Sequence, residues 1–164
     1  MRIHNEIYTY KSKKLSKNYI ICLISDIHNS KYSRYELWTL LIEEVKNQKP
    51  DIIIIAGDMF YNSDDILNKT ITAKMDYLIY GLINIAPVYL NYGNHDQKDG
   101  IKSKKNLIYN YFEEIQNKDK RFKLINNDIE DFKDLNIIGC ILQIKQFFFY
   151  GVFQMKDFPN LNTK

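Results

Sequence analysis

The sequence predicts an α/β fold in which helices flank a largely parallel sheet. Three apolar runs, at residues 20–24, 52–56 and 88–90, are each followed at once by polar turn residues. Continuous apolar runs of this length are typical of strands that are buried on both faces of a parallel sheet. The spacings from Asp26 to Asp58 and from Asp58 to Asn94 each suit one strand–helix–strand unit of about 30 or more residues.

The first helix follows the second of two predicted N-terminal strands. Ile3, Ile7 and Tyr8 suggest an initial edge strand, and residues 19–25 suggest the strand after it. Ser33 with Glu36 three residues later is a capping-box pattern, which predicts that a helix begins there. Its apolar positions recur at helical spacing and would share one face: Leu37, Leu40, Leu41 and Val45.

Two more helices and three short strands are predicted further along the chain. Asp64 or Asp65 can cap a second helix, whose apolar face would carry Leu67, Ile71, Met75, Leu78 and Leu82. A third helix is expected over about residues 103–117, followed by strands near 122–125, 129–132 and 135–139. The tail from 141 to 153 contains an aromatic run without clean alternation, so a strand and an irregular segment stay equal alternatives.

Composition limits the classes of function. A chain of 164 residues fits one domain, and its two cysteines are too few for a disulfide framework. The net charge of +3 is small for a nucleic-acid-binding surface. No apolar stretch approaches the ~20 residues of a membrane span, and the first ten residues lack the apolar core of a signal peptide. We therefore expect no membrane segment, no nucleic-acid partner and a cytoplasmic location.

Three polar motifs follow the predicted strands: Asp26-Ile27-His28, Gly57-Asp58 and Gly93-Asn94-His95-Asp96. Ligands bind parallel sheets in the crevice beyond the carboxyl ends of the strands, so these side chains should converge on one rim. Mixed carboxylate, imidazole and amide ligands suit Mn, Fe or Zn better than Ca. A carboxylate such as Asp58 can hold two cations about 3.5–4 Å apart, and the two glycines let the chain turn sharply and approach closely. The motifs therefore predict a metal site, with two metals in its complete form.

Taken singly, the same residues have simpler interpretations. A lone histidine is usually a capped surface residue, a lone Gly-Asp a turn, and an Asn before a helix a loop former. For Asp96, a helix cap or a solvated carboxylate stays open as an alternative to a role in the site. It is the order of the three motifs, each after an apolar strand, that favours the metal site.

In that order the motifs resemble the calcineurin-like metallophosphoesterases, a family of two-metal hydrolases with the pattern D-x-H, G-D and G-N-H-D/E, followed by two later histidine motifs. The resemblance implies that Asp26 and His28 bind the first metal, that Asp58 bridges both metals and that Asn94 binds the second. It also implies that His95 contacts the phosphate and assists the leaving group, while Asp96 orients His95. The fold it implies is the first half of an α/β/β/α sandwich.

The later Gly-His and Gly-His-x-His motifs of the family are absent, and the chain has only three histidines, of which His4 precedes all the motifs. By the resemblance, the second metal would keep only Asp58 and Asn94, so we expect it to bind weakly or not at all. The missing half normally supplies the second sheet, so one face of the parallel sheet should be uncovered. We expect a single, truncated domain over residues 1–164, with the motifs and their supporting elements in 19–139.

The favoured hypothesis is a phosphoesterase that hydrolyses phosphate mono- or diesters with a dinuclear metal site and a bridging hydroxide. One alternative is an inactive fragment that binds at most one metal. Another is a module that binds a phosphorylated ligand in a metal-dependent way without turnover. The substrate and the oligomeric state stay open.

Overall fold

The computed structural model describes residues 3–97, 102–140 and 152–155. The elements in chain order are β1 (Ile21–Ile24), α1 (Tyr35–Gln48), β2 (Ile52–Ile55), a 3₁₀ helix (Ser63–Leu67), α2 (Lys69–Ile83), β3 (Val88–Leu90), α3 (Asn94–Gln97), α4 (Lys102–Lys118), β4 (Phe122–Leu124), β5 (Asp128–Phe132), β6 (Leu135–Gly139) and β7 (Val152–Met155). The alternation of strands and helices up to β4 confirms the predicted α/β class.

The first sheet is four-stranded and parallel throughout, in the order β1-β2-β3-β4. Every residue of β2 and β3 is buried, as expected for inner strands. The expectation of burial on both faces is wrong for β1, because β1 is the edge strand. Its Leu23 lies opposite Ile54 in the register, yet Leu23 is 61% exposed and Ile54 only 3%.

One face of this sheet packs against the helices. The buried side chains of β2 and β3 on that face, such as Ile53 and Val88, join a core cluster with residues of α1, α2 and α4. The largest contributions from the helices are Trp38, Met75, Leu78, Ile79 and Phe112. These are aliphatic and aromatic groups at helical spacing, so burial of their shared face stabilises all three helices on the sheet.

The opposite face is covered by a second, antiparallel sheet in the order β5-β6-β7. Ile52, Ile54 and Tyr89 of the first sheet form a smaller core cluster with Leu135 and Ile137 of β6. The expectation of an uncovered face is therefore wrong for β2 and β3. The short strands after α4 supply the cover, and the exposed Leu23 shows that it does not extend over the middle of β1.

Residues 3–10 form no strand, so the predicted initial edge strand is wrong. Ile7 and Tyr8, which suggested it, are both largely exposed. A strand gains its stability from side chains packed on at least one face, and these two side chains have no such cover. Of the predicted tail strand, residues 152 and 153 lie in β7, and residues 141–151 lie outside the described part of the chain.

The predicted helix caps are also wrong. The N-cap of α1 is Arg34, without a side-chain cap, because the Ser33 hydroxyl accepts from the backbone N–H of Ser30 instead. The N-cap of α2 is Asn68, whose side chain accepts from the N–H groups of Thr70 and Ile71.

The predicted start of α2 splits into two elements. Asp65 forms a capping box with Asn62 at the 3₁₀ helix, and Leu67 is exposed at the end of that element rather than packed in α2. Within the described residues, no helix is both long and apolar enough to cross a membrane.

Candidate metal centre

The first two motifs lie in loops at the carboxyl ends of β1 and β2, and the third follows β3 with Gly93 in the loop and Asn94, His95 and Asp96 in α3. The first two loops run side by side, because the backbone N–H of Asp26 donates to Gly57 O at 3.2 Å and that of His28 donates to Asp58 O at 2.9 Å. A further bridge joins Asn29 to Phe60. The parallel pairing of β1 and β2 thus continues past the strand ends into the loops that carry the site.

Three of the proposed ligands have left-handed backbone conformations. The φ angles of Asp26, His28 and Asp58 are 56°, 45° and 56°. A residue with a Cβ seldom adopts this region, at a cost of about 1–3 kcal/mol, unless its surroundings hold it there. Such strain concentrates at functional sites, and here it falls on residues that the sequence had already singled out.

The loops after β2 and β3 touch through two glycines. A Cβ on Gly57, whose φ is 93°, would lie 2.2 Å from Gly93 N, and a Cβ on Gly93 would lie 2.1 Å from Asp58 Oδ1. Both distances are far inside van der Waals contact. Only residues without a side chain can occupy these positions, and this close approach brings Asp58 next to the third loop.

Three side chains converge above these loops. His28, Asp58 and His95 each offer one ligand atom, and the three atoms lie within 4.8 Å of one another. The two imidazole rings are 4.5 Å apart between centroids and nearly perpendicular. Asp58 is buried, so its carboxylate sits in a largely water-excluded position between two bases. The bond from a divalent cation to a nitrogen or oxygen ligand is about 2.0–2.2 Å long, so two atoms that bind the same cation lie up to about 4 Å apart.

His28 has an unsatisfied nitrogen. Its Nδ1 is buried and has no hydrogen-bond partner in the described structure, while its Nε2 lies 3.6 Å from Asp26 Oδ1. A buried polar atom without a partner is costly, and a bound cation can satisfy an imidazole nitrogen that has no hydrogen-bond partner. The donor set of two imidazoles and a carboxylate fits a borderline divalent metal such as Mn, Fe or Zn.

Asp26 lies outside the group of three converging residues. The Asp26 side chain is 65% exposed and accepts a hydrogen bond from its neighbour Ser25 Oγ, although it remains beside His28. Asn94 begins the short helix α3 and is half-buried, directly before His95. The structure thus brings His28, Asp58 and His95 together, while the Asp26 side chain lies beside His28 and is mostly exposed to solvent.

His95 is held at its backbone by a side chain and at its ring by a backbone carbonyl. Its backbone N–H donates to Asp58 Oδ1 at 2.7 Å, and its Nδ1 lies 2.8 Å from the carbonyl oxygen of Tyr61. A carbonyl only accepts, so Nδ1 carries the proton and Nε2 is the nitrogen left to act. Sequence reasoning missed Tyr61, and no pattern could have identified it, because any residue type supplies a carbonyl.

Asp96 ties two loops together. Its Oδ1 accepts from the N–H groups of Met59 at 3.0 Å and Phe60 at 3.3 Å, and its Oδ2 accepts from Gly93 N at 3.0 Å. Burial raises the pKa of this carboxyl to about 6, against the three N–H groups, which lower it. The resemblance implied that Asp96 orients His95, but its hydrogen bonds go to the loop backbones, and the ring of His95 contacts Tyr61 instead.

The fold and this rim of ligands define a metallophosphoesterase-like domain. A model of the calcineurin-like phosphoesterase family matches residues 19–163. This match spans most of the chain, and the chain therefore belongs to the calcineurin-like phosphoesterase family. A comparison with curated proteins finds no match.

Proposed function

We propose that the chain is a metal-dependent phosphoesterase acting on phosphate mono- or diesters. The observation that carries the proposal is the convergence of His28, Asp58 and His95 within 4.8 Å at the carboxyl end of a parallel sheet. This rim is where such sheets bind ligands. Membership of the phosphoesterase family supports a phosphate ester as the substrate class.

The proposed ligands are Asp26, His28 and Asp58 for one divalent metal, and Asp58 with Asn94 for a second. Asp58 is suited to the shared position, since it is buried between both histidines and its negative charge offsets the repulsion between two cations. Bound divalent metals, with Mn, Fe or Zn favoured by the donor set, would supply Lewis acidity and lower the pKa of water.

His95 is the proposed acid–base residue. Because the Tyr61 carbonyl holds the proton on Nδ1, only Nε2 changes its protonation between the neutral and the charged ring. A protonated Nε2 can donate to the leaving-group oxygen, and a neutral one can accept a hydrogen bond or bind a cation. The backbone bond from His95 N to Asp58 Oδ1 keeps this ring beside the metal ligands. The hydrogen bonds that Asp96 accepts join the loops after β2 and β3 and so stabilise this arrangement.

A single-metal protein without turnover is the second candidate. It is favoured by the position of Asp26, whose carboxylate is mostly exposed and bonded to Ser25, so that three of the described His, Cys, Asp and Glu side chains converge without it. Metal affinity depends on the number and the geometry of ligands. A metal held by the same three donors would also allow the protein to bind a phosphorylated ligand without hydrolysing it.

The test is hydrolysis of a chromogenic phosphodiester by the purified, folded chain with Mn²⁺, beside Asp58→Asn. The amide keeps an oxygen that can accept from His95 N, so the variant should fold while losing the charge that holds the cation. We expect Mn²⁺-dependent turnover in the original chain and a loss of at least about 100-fold in the variant. Equal rates in both proteins would contradict the proposal. Mn²⁺-dependent phosphate binding without turnover would favour the second candidate.

A further inference from the structure

Asn29 is a fully buried residue that directly follows His28. Its side-chain amide donates to the carbonyl of Ile71, in the first turn of α2, at 2.8 Å. The partner is a carbonyl, so the amide nitrogen must face it, and the amide oxygen is left buried without a partner among the described residues. Burying an amide oxygen without a partner carries a cost in stability.

The backbone of Asn29 links the two histidine-bearing parts of the site. Its N–H donates to Met59 O at 2.8 Å, and its carbonyl accepts from Tyr61 N at 3.1 Å. The carbonyl of Tyr61 in turn contacts Nδ1 of His95 at 2.8 Å. One residue is therefore covalently joined to His28 and connected through a single intermediate residue to His95.

The loop that carries Asn29 is fastened to α2 at a second point. Lys74, one turn beyond Ile71, is buried, and its ammonium donates to the carbonyls of Lys31 and Ser33. Without such ties the loop would relax, because His28 has a left-handed φ of 45° that an unrestrained chain avoids. Of these two hydrogen-bonded connections between the loop and α2, the one made by Asn29 is directly next to His28, a proposed metal ligand.

We propose that Asn29 is a positioning residue of the metal site: its amide bond to Ile71 fastens the loop after β1 to α2 and so holds His28 and His95 together. The role rests on the proposed metal function, because it is His28 and His95 that the loop presents. Residues that orient metal ligands from outside the ligand set typically change metal affinity or activity by about 10–100-fold. Asn29 acts on His28 through the peptide bond between them and on His95 through the backbone of Tyr61.

The test compares Asn29→Ala with Asn68→Ala in the metal-free and the Mn²⁺-loaded full chain. Asn68 is a matched control, since its side chain accepts from the N–H groups of Thr70 and the same Ile71, both in α2. Both variants remove one amide at the same helix start and should lower the melting temperature. Asn29→Ser is the second variant, in case Asn29→Ala does not fold, because its hydroxyl is too short to reach Ile71 O.

The first readout is the NMR contact between the His28 and His95 rings without metal, which is simple to assign because the chain has three histidines. The rings are 4.5 Å apart, so a cross-peak is expected in the original chain and in Asn68→Ala. The Asn29 variants should lose it while remaining folded. A cross-peak retained in a folded Asn29 variant would overturn the proposal.

The second readout is Mn²⁺ binding by calorimetry. We expect the Asn29 variants to bind Mn²⁺ about 10-fold or more weakly than the original chain, and Asn68→Ala to bind within about 2-fold of it. Equal weakening in the Asn29 and Asn68 variants would reduce Asn29 to a general stabilising residue and overturn the proposal. If the original chain bound no Mn²⁺ while the ring contact still depended on Asn29, the metal function would fail and the positioning role would stand.

Discussion

The loops at the centre of the site are in such close contact that one added carbon atom at Gly57 or Gly93 would displace a neighbouring residue. Gly93 N lies close enough to Gly57 that neither residue can carry a side chain, and Asp58 sits directly beside them. Asp58 is therefore held by close contact with the loop after β3, and Asp26 and His28 are held by backbone hydrogen bonds to the loop after β2. A metal ligand that is positioned in this way has little freedom to move away from its partners.

Replacing Gly93 by alanine should displace Asp58. The new Cβ would lie 2.1 Å from Asp58 Oδ1 and 2.4 Å from Asp58 N, and a backbone atom cannot turn aside. We expect a loss of about 1–3 kcal/mol in the free energy of unfolding, measured by urea denaturation, together with weaker Mn²⁺ binding.

Gly81→Ala in α2 is the matched control. Its Cβ would lie 2.4 Å from Cδ1 and 2.9 Å from Cγ1 of Ile42, both side-chain atoms that a change of rotamer can move, and alanine is about 1 kcal/mol better than glycine inside a helix. The control should keep its Mn²⁺ affinity and at least most of its stability. Similar losses of metal binding in the two variants would show that the contact between Gly93 and Asp58 is not special.

Asp51 predicts a pH dependence of stability. The hydrogen bond from Lys17 Nζ at 2.6 Å and the one from Ile20 N at 2.9 Å lower the pKa of its carboxyl in the folded chain. A folded pKa below the unfolded value of about 3.9 means that the stabilisation is present above pH ~4 and is lost as the pH falls through the folded pKa. Asp51→Asn should therefore be less stable than the original chain at pH 7.

The same substitution should matter less in acid. The difference in unfolding free energy between the original chain and Asp51→Asn should shrink as the pH falls below about 4, because the carboxylate becomes neutral first in the unfolded chain and, at lower pH, in the folded chain. Urea titrations at four or five pH values would measure it. A difference that stays constant over this range would mean that the charge of Asp51 contributes nothing.

At the scale of elements, β1 differs from its neighbours. It is the edge strand of the parallel sheet, and the second sheet covers β2 and β3 but leaves Leu23 exposed. The sequence could not reveal this, because the apolar run at residues 20–24 looks like the runs of the inner strands. A strand's place in the sheet depends on pairing across the chain, which local patterns do not record.

A pair of substitutions at one register position tests this difference. Leu23 and Ile54 lie opposite each other on the same face of the sheet, 61% and 3% exposed. Leu23→Thr should change the free energy of unfolding by less than about 0.5 kcal/mol. Ile54→Thr, which buries a hydroxyl and opens a cavity, should cost about 2–4 kcal/mol. Equal costs in urea denaturation would show that β1 is covered.

The helix starts show a second limit of sequence patterns. The apolar spacing located α1, α2 and α4, because burial of one helix face depends on periodicity alone. The caps were wrong, because Ser33 bonds Ser30 and Asp65 bonds Asn62, and such short polar side chains have several backbone partners within reach. Which partner is chosen depends on the path of the loop.

At the scale of the whole molecule, the two sheets and the helix layer form three layers with the site at one rim. The sequence predicted the parallel sheet, its flanking helices and the rim, because these follow from apolar runs and their spacing. The second sheet was foreseen only as isolated short strands. Its packing over Ile54 and Tyr89 arises from contacts between distant segments, as does the bond from Tyr19 OH to Asp134 at 3.0 Å.

The candidate site was predictable to the same extent. The motifs predicted His28 and Asp58 as metal ligands and His95 as a residue that contacts the phosphate, since such chemistry restricts the residue type. Tyr61 and Asn29 were not predicted, because they act through backbone atoms or through a bond to a backbone carbonyl, which leaves no recognisable spacing. The residues that hold a ligand in place are specified by the fold more than by their own chemistry.

The central claim is that the site around His28, Asp58 and His95 binds a divalent metal, and calorimetric titration of the metal-free chain with Mn²⁺ tests it most directly. Asp58→Asn serves as the control. We predict at least one saturable Mn²⁺ site in the original chain and its loss in the variant, with the same secondary structure by circular dichroism. Absence of Mn²⁺ binding by the folded original chain, or equal binding by both proteins, would contradict the account.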